Sequence, residues 1–198
     1  MVWLVLGIVA VLALGWFVTA QSAVRGVTVF QDAQPVVCTS VPVTTSDTPL
    51  LDAEPGTADA HLPTVVLYPG QQCTFRLYVL NEGWATVEID GVHLPLLGDG
   101  SALGITQVSA LLNPAADLHN NEPQMDAFAG VQGVSVPPGS SQLVEVRFAY
   151  DGGAQLGQCG AVTASPLSVE VSALGATATP TSAMPIIYHR GDPADCPG

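Results

Sequence analysis

The chain has 198 residues, with 17 acidic side chains against four basic ones and a net charge of −13. The basic residues are Arg25, Arg76, Arg147 and Arg190, so lysine is absent. A surface this negative gains no counterion-release energy from nucleic acid and is repelled by anionic headgroups; nucleic-acid binding is set aside, and the acidity reads most simply as solubility.

The first stretch, Met1 to Val24, carries no charged side chain. Within it, Val2 to Ala20 is apolar except for Thr19, and 19 residues suffice for a helix to cross a hydrocarbon core about 30 Å thick. Trp3 near one end and Trp16-Phe17 near the other suit the two interfaces, although the tryptophans are only roughly 20 Å of helix apart. Gly7, Ala10, Gly15 and Thr19 offer part of a small-residue face for a neighbouring helix.

A cleavable signal peptide is the rival reading, with Val18-Thr19-Ala20 as the cleavage motif and Gln21 as the new start. The apolar run exceeds the usual signal core and no basic residue precedes it, which favours a retained anchor. Arg25 alone would place the following residues in the cytoplasm. The cysteines and the acidic domain argue for the other side, so the expectation is a single-pass plasma-membrane protein with its domain outside the cytoplasm.

After the anchor, Val27–Phe30 and Val36–Val43 look like strands, and the acidic, proline-containing tract Thr44 to Leu62 reads as a surface loop. The clearest β signal is Cys73 to Val79, where Cys73, Phe75, Leu77 and Val79 share one face. The turn Tyr68-Pro69-Gly70-Gln71 precedes it and Asn81-Glu82-Gly83 follows. A strand over Ala85 to Pro95 comes next, with Gly91 expected to shift its register at a bulge.

Gly104 to Leu112 reads as a strand or a short helix, and Asn113 to Gly130 as a long irregular stretch. Pro137-Pro138-Gly139 then opens a second alternating strand with Val144, Val146, Phe148 and Tyr150 on one face. The repeated design suggests equivalent strands in two different sheets. Val169 to Leu174 and Thr177 to Tyr188 form the expected last hairpin, with Pro180 and Pro185 as possible interruptions.

Short alternating strands, Gly/Pro turns and no amphipathic helix point to an all-β sandwich of about seven to nine strands behind one transmembrane helix. The Pro-Gly turns, the Val/Phe/Leu strands and the Asn-x-Gly turn resemble the immunoglobulin-like modules of bacterial surface proteins over residues 64–95 and 131–171. That resemblance implies fold class alone, since a core Trp between paired cysteines is not evident and Trp84 lies at a turn. The composition, rich in Ala, Gly, Val, Pro and Thr, is similar to that of GC-rich bacterial genomes. The expected division is an anchor over 1–24, a Pro/Thr-rich lead-in over 25–63, and the rest of one sandwich over 64–198.

Cys38, Cys73, Cys159 and Cys196 allow three pairings, and none has C-x-x-C spacing. A hairpin centred near residues 175–178 places Cys159 and Cys196 almost symmetrically about it, leaving Cys38 for Cys73. The 35-residue separation (73 − 38) corresponds to roughly 3–4 kcal/mol on the chain-entropy model.

The stretch Asp117 to Asp126 gathers Asp117, His119, Glu122 and Asp126, with Met125, into one candidate cation loop. It lacks the alternation and glycine of an EF-hand, so a solvated polar loop is the plainer reading. A cupredoxin-like copper site is disfavoured because no His or Met closely follows Cys159. No G-x-S-x-G elbow and no phosphate-loop motif is present. The expectation is therefore a non-enzymatic protein without a cofactor. Its partners would be membrane lipid and other membrane-protein subunits, in the role of an accessory subunit of a larger complex. The alternatives are a free-standing surface or secreted binding module, and a metal-binding β-sandwich.

Overall fold

The computed structural model describes residues 2–39, 43–46, 62–115, 124–153, 156–191 and 196. The helix α1 (Val2–Arg25) leads into β1 (Val27–Cys38), β2 (Thr44–Ser46), β3 (Leu62–Leu67) and β4 (Gln71–Asn81). There follow β5 (Val87–Leu94), β6 (Ile105–Ala110), β7 (Ala127–Val136) and β8 (Ser140–Tyr150). The last four are β9 (Ala161–Ala164), β10 (Ser168–Ala173), β11 (Ala176–Ala178) and β12 (Ile186–Arg190). The fold is mostly β behind one apolar helix. The described residues hold twelve strands, more than the seven to nine expected, because β2, β9 and β11 are short pieces of three or four residues without legible alternation.

The strands form three four-stranded sheets, in the orders β1-β4-β8-β6, β11-β10-β5-β7 and β2-β3-β12-β9. Alternation builds the first. Cys73, Phe75, Leu77 and Val79 of β4 and Val144, Val146, Phe148 and Tyr150 of β8 turn inward into one shared core. These two strands are antiparallel neighbours over their whole length, from Gln71↔Tyr150 to Asn81↔Ser140. The expectation that they belong to two sheets is corrected. Their matching Pro-Gly turns report how each strand starts and say nothing of its neighbour. Each turn places glycine at positive φ, +81° at Gly70 and +72° at Gly139, as its third position requires.

Ile105–Ala110 is a strand, beside β8. In β5 the pairing to both neighbours shifts between Ile89 and Gly91, which is the expected bulge, and Ser172 donates a hydrogen bond to Asp90 at 3.1 Å. A Cβ on Gly91 would lie 2.3 Å from the Phe128 ring and 2.8 Å from the Ala129 carbonyl oxygen, so glycine alone lets Phe128 cross the strand. Thr44–Ser46, expected within a loop, pairs with β3 as an edge strand, and residues 47–61 of that tract lie outside the described residues.

The last hairpin also needs correction. Thr177 to Tyr188 is two strands: β11 pairs with β10, while β12 pairs with β9 in the third sheet and lies parallel to β3. The prolines between them end one strand and let the chain change sheets. Ala164↔Ile186 and Val171↔Ala178 nonetheless share a centre near residue 175, so one pair is nested outside the other.

The structure joins Cys38 to Cys73 and Cys159 to Cys196. The first bridges directly opposed residues of β1 and β4. The second ties the segment before β9 to the chain beyond β12.

Phe148 stacks on Phe75 at 5.0 Å and meets Tyr188 of the third sheet edge-on at 6.3 Å. The Tyr188 hydroxyl is buried and has no hydrogen-bond partner among the described residues. Burial pushes its ionisation far above the usual phenol range. The neutral form is thus favoured in the folded state, and the stability this gives is complete below about pH 10 and lost as pH rises beyond it. Tyr188→Phe is expected to keep the fold, gain about 1 kcal/mol by removing an unmet polar group, and flatten the alkaline fall in stability. Urea titrations at neutral and alkaline pH check this, and a loss of stability at neutral pH would reveal a hidden partner for the hydroxyl.

Candidate functional site

The densest set of specific contacts lies where α1 enters the β-domain. From Trp3 to Val18, every large apolar side chain described is more than half exposed. Eleven such side chains, each gaining about 1.5–3 kcal/mol on full burial, leave on the order of 10 kcal/mol unmet in water. Beyond Val18 the helix changes character. Ala20, Ala23 and Val24 are buried, and the helix packs against β10 and β11. Arg25 ends the helix on its last turn, where a cation offsets the helix dipole.

No linker follows. Gly26 passes straight into β1, and its carbonyl accepts from the Glu82 amide at 2.8 Å. A Cβ on Gly26 would stand 2.6 Å from both Cα and N of Gly83, so two glycines let two backbones touch. The Trp84 indole donates to the Ser22 hydroxyl at 3.3 Å, and Ser22 in turn donates to the Thr19 carbonyl at 2.8 Å.

Asn81 holds this arrangement together. It is 0% exposed, and its amide nitrogen donates to the carbonyls of Ala85 and Val136, both at 2.8 Å. Its amide oxygen accepts from Gly83 N at 2.9 Å, and its backbone carbonyl accepts from Gly139 N at 2.7 Å. One side chain therefore fixes the turn after β4 and the end of β7, and its backbone fixes the turn into β8. Burial of so polar a group is stable only because its donors and acceptor are matched.

The candidate cation loop is described at one end only: Asp117, His119 and Glu122 lie outside the described residues. Asp126 is described, and its carboxylate accepts from the Leu96 amide at 2.9 Å. Asp99 likewise accepts from Gln124 N, and Gly98 and Gly100 donate to Met125 and Gln124 carbonyls. Among the described residues no group of three or more His, Cys, Asp or Glu side chains could hold a metal ion. Cys159 is committed to a disulfide, and His189 Nδ1 lies 2.8 Å from the Gly191 carbonyl oxygen. His93 and Glu170 form a half-exposed pair at 3.1 Å, a geometry worth little in water.

Of the residues expected in a membrane, Trp3, Trp16 and Phe17 are exposed, and a Cβ added at Gly7 or Gly15 would meet nothing. The Thr19 hydroxyl donates to the Gly15 carbonyl at 2.8 Å. The sequence places Trp84 at a turn and Ala23 and Val24 at the end of the uncharged first stretch; it does not join them. The one signal available was Asn81-Glu82-Gly83-Trp84, a polar turn ending in an aromatic.

No protein-family model matches this chain, and no curated protein matches it either. Among solved structures, one neighbour is a family 123 glycoside hydrolase from Clostridium perfringens, at 11% identity and a TM-score of 0.37. The match covers 85% of this chain but only 28% of the hydrolase chain. Another is the human CEP192 ASH/PapD-like domain, at 13% identity and a TM-score of 0.28, covering 79% of this chain and 84% of that one. Superpositions this loose define neither fold family nor activity.

Proposed function

We propose that this chain is a non-enzymatic, single-pass membrane protein whose immunoglobulin-like β-sandwich stands outside the cytoplasm as an accessory subunit of a larger membrane complex. The observation that carries it is α1 itself, whose exposed apolar surface stops where its last turn enters the domain core. A lipid environment satisfies the first part and the β-domain satisfies the second. α1 also runs unbroken through Ala20, the candidate cleavage point, to Arg25. Two disulfides fit an oxidising compartment. The open surface at Gly7 and Gly15 suits a neighbouring helix. The edge-on contact of Phe148 in the first sheet with Tyr188 in the third supports the sandwich reading.

The test is mild-detergent extraction of membranes, native electrophoresis and mass spectrometry of the comigrating band. The expected result is a chain that retains Trp3 and migrates with a larger assembly. Migration as a lone monomer would replace the subunit by a free-standing surface module. A mature chain beginning at Gln21 would remove the anchor.

A further inference from the structure

Strand register sets which loops share one end of the domain. Val27 lies opposite Asn81, Asn81 opposite Ser140, Val87 opposite Val136 and Glu88 opposite Ser172. The helix exit, the turn through residues 82–86, the turn through 137–139 and the hairpin tip at 174–175 therefore all lie together. What this end exposes is unusual for so acidic a chain: Trp84 at 57%, Leu174 at 39%, and the exposed prolines Pro137 and Pro138. Its charges are one arginine, Arg25, and two exposed acids, Glu82 and, at the start of β5, Glu88. Leu174 and Gly175 both take positive φ, +53° and +81°, so the hairpin turns tightly and holds Leu174 at its tip.

Depth along the helix follows from the same contacts. If the hydrocarbon span ends near Ala20, Ser22 stands two residues, or roughly 3 Å, further out. The headgroup zone is roughly 5–8 Å deep on each side, so Ser22 lies within it. Trp84 is hydrogen-bonded to Ser22, and α1 packs on the two strands that carry Leu174 at their tip. Trp84 is thus at headgroup depth, and the register places Leu174 at the same end of the domain.

We infer that this end of the domain is a membrane-contacting face, with Trp84 and Leu174 seated at the headgroup–acyl boundary of the bilayer that α1 crosses. The inference rests on the reading of α1 as a membrane span. Tryptophan prefers this zone, where its ring meets acyl chain and its N–H meets polar groups. Arg25 offsets one of the two acids, so the face is close to neutral and binds zwitterionic lipid with less repulsion than the rest of this acidic surface would meet. The occupant is zwitterionic lipid, and the domain rides on the bilayer instead of hanging from a tether.

The full chain reconstituted in phosphatidylcholine vesicles brominated near the headgroup tests this through tryptophan quenching. Trp3→Phe with Trp16→Phe leaves Trp84 as sole reporter, and Trp3→Phe with Trp84→Phe leaves Trp16. A third variant lacks all native tryptophans and carries Phe128→Trp, opposite His93, six residues or roughly 20 Å along β5 from Val87. Quenching of Trp84 is expected to resemble that of Trp16 and exceed the Phe128→Trp reporter at least about twofold. Quenching of Trp16 with Trp84 no better quenched than the distal reporter would overturn the inference and leave the span standing. Absence of quenching at both Trp16 and Trp84 would overturn the span as well.

Discussion

Asn81→Asp is expected to destabilise the β-domain by about 3–5 kcal/mol, a large share of the 5–15 kcal/mol typical of a folded domain. The substitution keeps shape and changes one atom. Aspartate carries no donor, so the carbonyls of Ala85 and Val136 lose their partner, and a buried negative charge faces both oxygens. The acceptor function toward Gly83 survives. The effect has a pH signature. Burial raises the carboxyl's folded-state pKa, so its neutral form is favoured, and stability is greatest below the unfolded value near 3.9 and lost as pH rises. Denaturant midpoints across acid and neutral pH check both parts. A loss below about 1 kcal/mol at neutral pH would show that solvent reaches this side chain.

Gly26→Val is expected to cost about 2–4 kcal/mol, because the added Cβ meets backbone and not the end of a movable side chain. Either the Glu82–Gly83 turn moves, breaking the Glu82–Gly26 hydrogen bond, or α1 leaves its seat on β10 and β11. The contrast makes the test specific. Gly83→Ala brings a Cβ to 3.0 Å from the Asn81 amide oxygen and 3.1 Å from the Ala23 carbonyl oxygen, contacts that shifts of a few tenths of an ångström relieve, and should cost less, whereas Gly15→Ala meets nothing and should leave domain stability unchanged. Thermal melts of the three variants in detergent would give that order, and equal melting for Gly26→Val and Gly15→Ala would mean the junction opens freely.

Local features of this chain were legible and distant ones were not. Cys73 to Val79 and Leu143 to Tyr150 alternate over enough residues to fix strand and inward face, and Gly91 announces a bulge because nothing larger tolerates Phe128 above it. That these two strands are neighbours is a pairing 60 or more residues apart for most of its length, on which period-two alternation is silent. Likewise Thr177 to Tyr188 reads as one apolar, Thr-rich run, and only the path after Pro180 shows the chain changing sheets. At the junction the obstacle is chemical degeneracy. Ala20, Ala23 and Val24 are as apolar as the exposed helix residues before them, so hydropathy cannot separate a side chain left exposed from one that packs on the β-domain. The cation loop was legible as a composition, and only Asp126 of its candidates is placed, on the Leu96 amide.

The parallel pairing of β3 with β12 joins Thr64 to Ile187, 123 residues further on (187 − 64). Closing so long a loop costs more chain entropy than pairing β4 with β1 or β8, so the third sheet is expected to assemble late. For a chain emerging N-terminus first, Cys38 and Cys73 are both released before Cys159, which waits for Cys196, 37 residues later. Oxidation is thereby ordered in time. The first bridge can therefore fasten the far end of β1 to β4 before Cys196 has emerged, and the second latches the chain beyond β12 once that strand has docked.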